Sequence, residues 1–330
     1  MTETGQIGLR FNLMDEGMIN NPLVSICMVT FNHGKWIEKA INGVLIQKTD
    51  FPFELVIGDD ASTDATRKII EDFQFKEPSI VKAAFNTLNL GLAKNFSLAL
   101  NRCRGRYIAI CEGDDFWTDP TKLQKQIDFL ESNPGCVITS HNFSTLHESE
   151  NMTDHQVKYN HDFDYDQRKT LMEWMTQPLT CTFRNIFRDY TYFNKEGIFC
   201  DVVLFYEILK HGRGYFMKDD MATFRVHQNA LSSGLTRWQW LRNHVIMFDY
   251  MHKNNPDDNL LQCISRKYCL SLYIDKLKRP LNPDPDFKPL SEYFKRSPGV
   301  FEGSFTIVKL PFYFLKYGFF SKVKSALFNG

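Results

Sequence analysis

The chain has 330 residues, 43% of them hydrophobic, and its 39 Lys and Arg are balanced by 39 Asp and Glu. That length supports one large domain or two with ample core, and the apolar fraction excludes a disordered chain. Zero formal net charge argues against nucleic acid as the default partner, 18 Gly and 13 Pro exclude collagen-like and mucin-like chains, and no stretch reaches the ~18 uncharged apolar residues of a membrane span.

Met1 to Asn21 lacks a basic patch followed by an apolar core, so no secretion signal is expected. Leu23 to Thr30 is a near-continuous apolar run ending at Phe31-Asn32-His33-Gly34, the pattern of a strand buried on both faces. Ile37, Ile41, Val44 and Leu45 follow at helical spacing. Phe53 to Gly58 reads as a second strand closing on Asp59-Asp60, and Asp64 or Thr66 caps a helix carrying Ile69, Ile70 and Phe73. A third strand is predicted within Val81–Phe85 and a helix within Leu92–Cys103. Tyr107 to Cys111 is a fourth strand that also ends in acids, Glu112, Asp114 and Asp115. Asp119-Pro120 reads as an N-cap and first helical position, with Leu123, Ile127 and Leu130 on one face, and Cys136 to Ser140 as a fifth strand. Cys27, Cys111 and Cys136 sit inside apolar runs, and no C-x-x-C pair occurs among the eight cysteines. Reduced, mostly buried thiols of a cytosolic protein are expected.

Strands alternating with helices imply a mostly parallel sheet with right-handed crossovers, whose ligands bind beyond the carboxyl ends of the strands. Those ends carry Thr30 and Asn32, then Asp59 and Asp60, then Asp114 and Asp115. Neither G-x-G-x-x-G nor G-x-x-x-x-G-K-[ST] is present. Carboxylates repel a diphosphate unless a divalent cation lies between them, and hard oxygen ligands select magnesium or manganese. Asp114-Asp115 is therefore a candidate metal hook, and Asp59 or Asp60 is placed to accept hydrogen bonds from base or ribose donors.

Val24–Asn32 (VSICMVTFN), Leu55–Asp64 (LVIGDDASTD), Asn89–Asn95 (NLGLAKN) and Tyr107–Pro120 (YIAICEGDDFWTDP) together resemble the family 2 glycosyltransferases of the GT-A fold. The resemblance implies an α/β catalytic domain over residues 22–235, with an arm at 1–21 and a helical C-terminal region at 236–330. It puts Asp60 against the base with Asp59 nearby. The family's D-x-D motif falls on Glu112-Gly113-Asp114-Asp115, where Glu occupies the first position and leaves metal and ribose duties to Asp114 and Asp115. Val29, Thr30, Asn32, Asn89, Lys94 and Arg225 join Asp59, Asp60 and Asp114 as implied contacts of the nucleotide sugar. In the second half, Pro178–Phe187 resembles the segment that enters the sheet before the acceptor site. Asp201 aligns with the acid that opens a helix above the sugar and serves as catalytic base, that helix being supported by Val202, Phe205 and Leu209. Phe224-Arg225-Val226-His227 matches an aromatic-Arg-x-His strand, and its His227 either completes the metal shell or contacts a phosphate. Trp117 either walls the sugar pocket or packs the helix that follows.

Beyond about Leu235 the pattern turns helical, first over Trp238 to Phe248 and then over Leu260 to Leu277, before the proline-rich stretch Pro280–Pro289. Phe305 to Phe328 interleaves aromatics with Lys309, Lys316, Lys322 and Lys324. It either lies on an anionic membrane surface or packs on the catalytic domain. The expectation is a metal-dependent (Mn2+ or Mg2+) inverting hexosyl- or N-acetylhexosaminyl-transferase. Its donor is a nucleoside diphosphate sugar, most simply a UDP-sugar, and its acceptor a glycan or lipid-linked glycan. Surface polysaccharide or lipopolysaccharide assembly on the cytoplasmic side of the membrane is the implied setting. The competing readings are a sugar-nucleotide pyrophosphorylase, which wants a richer glycine loop than Asn32–Lys35, and a non-catalytic carbohydrate-binding protein on the same fold.

Overall fold

In a computed structural model, residues 21–150, 152–155, 158–191, 200–228, 230, 235–265, 268 and 271 are described. The first half follows the alternation of its sequence: β1 (Val24–Thr30), α1 (Ile37–Leu45), β2 (Phe53–Asp59), α2 (Thr66–Lys76), β3 (Val81–Phe85), α3 (Leu92–Arg102) and β4 (Tyr107–Ile110). β3, β2, β1 and β4 lie side by side and parallel, in that order. Alternate residues of β1, β2 and β4 enter two different cores. Ile26, Met28, Leu55 and Ile57 pack under α1, whereas Cys27, Val29, Val56 and Ile108 pack against α3. Burial on both faces is why these strands read as unbroken apolar runs.

After β4 the chain makes the short strand β5 (Phe116–Trp117), then α4 (Lys122–Ser132) and β6 (Cys136–His147). The helix starts two residues later than the Asp119-Pro120 signal predicts. Asp119 instead holds the turn before it, accepting from the Thr121 amide and hydroxyl at 2.7 Å each. β6 runs seven residues past Ser140. Trp117 is buried, with its indole N–H donating to the Leu179 carbonyl at 2.9 Å, so the ring packs rather than walls a pocket. The backbone of β5 lies so close to α1 that a Cβ on Gly43 would fall 2.8 Å from the Trp117 carbonyl oxygen.

The second half extends the same sheet with β7 (Met152–Asp154), β8 (Phe163–Tyr165), α5 (Gln167–Glu173), β9 (Thr182–Arg184), α6 (Cys200–Ile208), β10 (Arg213–Val226) and α7 (Arg237–Asn254). β9 fits antiparallel between β4 and β6. β10 runs parallel to β6 and antiparallel to β5, which carries its end back to the acids after β4. α7 opens with a capping box in which Thr236 and Gln239 exchange hydrogen bonds. Its Met247, Phe248 and Met251 share one core with Phe205 and Phe183, and Leu261 and Ile264 join it. Asp258 accepts from the Tyr206 hydroxyl and from the Leu260 and Leu261 amides, tying this end of the chain to α6. No helix among the described residues is long and apolar enough to cross a membrane. The arm at 1–20, Glu196, Ser232-Ser233 and the aromatic and basic segment 305–328 lie outside the described residues.

Candidate active site

The loops after β1 and β2 are laced together by short polar side chains. Asn32 takes a left-handed conformation (φ +55°), which Asn tolerates better than most residues, and its Oδ1 accepts from the Thr63 amide at 2.8 Å. Its own amide donates to Ser62 Oγ at 2.9 Å, while Asp59 accepts from the hydroxyl and amide of the same serine. Asp64 accepts from Gly34 N at 2.9 Å and from the amide and hydroxyl of Thr66, which opens α2. Asp60 is buried and accepts from Asn86 Nδ2, Leu90 N and Gly91 N at 3.0, 2.8 and 2.9 Å. Three of its roughly four acceptor positions are thus used to hold the loop before α3, and one remains. Asn89 turns to the Gly91 amide at 3.0 Å, and Lys94 is exposed on the first turn of α3. Val29 lies in the core and its carbonyl accepts from Gly113; the buried Thr30 hydroxyl has no hydrogen-bond partner among the described residues.

Gly113 runs against β1, where a Cβ would fall 2.8 Å from Thr30 Oγ1 and 2.9 Å from Ile37 Cδ1. That close approach directs the residues after it toward β10. Asp114 Oδ2 lies 3.1 Å from His227 Nε2 and 3.7 Å from His33 Nε2, and the Asp114 carbonyl accepts from Arg225 Nε at 2.8 Å. Burial opposes ionisation of Asp114, but the His227 hydrogen bond and the neighbouring imidazoles hold its carboxyl below the usual range. Burial lowers the His33 pKa, against the pull of Asp114. Asp115, expected as a second metal ligand, faces β10 instead. Its Oδ1 accepts from the Arg225 amide at 2.7 Å, and its Oδ2 is buried without a partner among the described residues. Burial and the charges of Asp114 and Glu112 push its pKa well up. Glu112 is raised to about 8 by burial and by the charges of Asp114 and Asp201. Asp201 stands in the first turn of α6, half-buried, with its pKa raised by burial against the hydrogen bonds of its own amide and that of Val202.

The structure thus brings Asp114, Arg225 and His227 together, with Asp201 near enough to Glu112 to act on it electrostatically. Asp59 and Asp60 form a separate group at the end of β2, with β1 between it and β4, and Lys94 stands apart. Sequence reasoning passed over His33, Trp36 and Glu148. His33 could have been found from its place just beyond β1, on the edge that collects the acids; the other two carry no local signal. Among the described residues no group of three His, Cys, Asp or Glu closes on one point. The pair Asp114 and His227 nevertheless fits a divalent cation whose remaining positions are filled by diphosphate oxygens and water, because a carboxylate held ionised faces an imidazole nitrogen.

The family model described as glycosyl transferase family 2 matches residues 25–193, just over half of the chain. An uncharacterized protein of Mycobacterium tuberculosis (strain H37Rv) is 39% identical over 125 residues, 38% of this chain and 36% of that protein. The match therefore spans about a third of that relative's length. The putative teichuronic acid biosynthesis glycosyltransferase TuaG of Bacillus subtilis (strain 168) is 26% identical over 221 residues, 66% of this chain and 84% of its own. Among solved structures, S. aureus TarS 1–349 in complex with UDP-GlcNAc superposes with a TM-score of 0.62 at 15% identity, covering 83% of this chain and 81% of that one. The mannosyltransferase PcManGT from Pyrobaculum calidifontis, in complex with GDP-Man and Mn2+, gives 0.50 at 14% identity over 84% of each chain. At such identities these two structures establish the GT-A fold.

Proposed function

The chain belongs to glycosyl transferase family 2, and on that premise we propose that it moves a sugar from a nucleoside diphosphate donor to an acceptor hydroxyl, inverting the anomeric carbon. The observation that carries this reading is the meeting of Asp114, Arg225 and His227 at the carboxyl edge of the sheet, with Asp201 opening a helix near enough to act on Glu112. Asp114 and His227 would hold a divalent cation, and imidazole in the donor set favours Mn2+ over Mg2+. When bound, that cation offsets the charge of the departing diphosphate. Arg225 commits one N–H to the Asp114 carbonyl and keeps other guanidinium donors for phosphate oxygens. Asp201 takes the proton of the acceptor hydroxyl as the new bond forms, which a neutral hydroxyl needs in order to attack.

The donor we assign is a UDP-sugar: the remaining acceptor position of Asp60 suits a base N–H, and TarS, alike in fold, holds UDP-GlcNAc. The likeness to TuaG, a putative teichuronic acid biosynthesis enzyme, supports a setting in surface polysaccharide assembly. Melting curves with UDP, GDP, TDP and CMP, each with Mn2+ or EDTA, test the assignment. Ligand at 100 times its Kd stabilises by about 2.7 kcal/mol, so UDP with Mn2+ should give the largest rise. Asp114→Ala should abolish the manganese increment and leave any metal-free shift. A mutant that keeps the increment, or a wild type that responds to no nucleotide, would refute the reading.

A further inference from the structure

A histidine that offers Nε2 to a cation carries its proton on Nδ1, and that N–H normally fixes the ring by donating to a carboxylate or carbonyl. The buried Nδ1 of His227 has no such partner among the described residues. The ring is instead covered by an indole, the centroids of Trp36 and His227 lying 3.9 Å apart with the planes tilted by 39°. Trp36 is itself clamped. Its Nε1–H donates to Glu148 Oε1 at 2.9 Å, and the same oxygen meets Lys35 Nζ at 2.9 Å. Glu148 also ties the backbone, its amide donating to the carbonyl of Val226, the residue before His227, at 3.1 Å. Three segments distant in sequence thus fix one imidazole: the loop after β1, the end of β6 and the end of β10.

We propose that Trp36, anchored by Glu148, is the positioning residue of His227: stacking takes the place of the missing Nδ1 hydrogen bond and aims Nε2 at the point it shares with Asp114. The inference rests on the donor-site reading above. It predicts that removing the indole weakens only the metal-dependent part of nucleotide binding.

Calorimetric titration of the full chain with UDP, in Mn2+ and in EDTA, separates the two parts. Trp36→Leu should cut the manganese increment by about 10–100-fold, the usual cost of losing the group that orients a metal-binding His. Trp36→Phe, which still stacks, should keep most of it, and UDP affinity in EDTA should not change in either. Glu148→Ala leaves the core intact, since that side chain is 25% exposed, and should lose part of the increment; Glu148→Gln still accepts from the indole and should restore it. Bound Mn2+ is paramagnetic, so with UDP it should quench tryptophan emission where Mg2+ does not, and that quench should shrink in Trp36→Phe. A Trp36→Leu protein with the wild-type increment overturns the positioning role, as do Glu148→Ala with an unchanged increment and Trp36→Phe with an unchanged quench. A wild type indifferent to manganese overturns both this inference and the reading beneath it.

Discussion

Asp201 meets two opposed influences, burial that raises its pKa and first-turn amides that lower it. Asp201→Asn keeps the size of the side chain and an oxygen for those amides but cannot take a proton. Transfer should fall by ~100–10,000-fold while the affinity for UDP with Mn2+ stays near wild type. Asp219, paired with Lys125 at 2.9 Å on α4, should tolerate the same change with little loss. Full transfer activity in Asp201→Asn would move the base elsewhere. Asn32 separates backbone from side chain in the same spirit. Asn32→Gly should lose the bonds its side chain accepts from the Thr63 amide and hydroxyl, on the order of 1 kcal/mol, whereas Asn32→Ala adds the left-handed penalty of ~1–2 kcal/mol. Urea unfolding reads the difference, and equal losses would mean the loop relaxes out of that conformation.

α4 carries an amine into the core. Lys122 is fully buried, its Nζ donating to Gln126 Oε1 at 2.7 Å and lying 4.0 Å from the centre of the Trp117 ring. Gln126 links on to Thr139, Thr180 and Thr182, so one polar network joins α4 to β6 and β9. Burial pulls the Lys122 pKa down from 10.5 to about 7. Between those values the unfolded chain binds a proton that the folded chain does not, so stability should rise as pH goes from 7 to 10. Below 7 the full penalty, on the order of 5 kcal/mol, is present. Lys122→Met should therefore unfold at a higher temperature than wild type at pH 6, with the gap closing toward pH 10. A gap independent of pH would mean the amine is charged in the fold throughout.

The elements differ in how plainly their residues announce them. β1, β2 and β4 are written as apolar runs because both faces are covered, and the acids at the ends of β2 and β4 stand out because they follow such runs. β10 is hidden by its own irregularity. Register breaks between Met217 and Asp220, and again between Asp220 and Thr223, spoil the alternation that would mark a strand. β6 continues through Asn142 and Ser144, polar residues buried by pairing rather than by hydrophobicity. The Trp36–Glu148 contact joins positions 112 apart, and no local pattern encodes such a distance.

At the scale of the whole molecule, the acids after β4 wait on residues from the far end of the sheet. Arg225 N reaches Asp115 across 110 positions and His227 reaches Asp114 across 113. A chain stopped at residue 212 lacks β10 and leaves one edge of the 12-residue β6 unpaired. It should show no cooperative melting and should bind a dye that reports exposed apolar surface; a sharp transition would mean the first half folds alone. During synthesis the same gap becomes a delay. At roughly 5–20 residues per second, the ribosome releases the acid segment on the order of ten seconds before Arg225 and His227. Throughout that interval the nascent sheet holds clustered carboxylates and an open edge, which makes a half-made chain a natural client for chaperones and the step from residue 213 to residue 227 the moment at which the catalytic end can close.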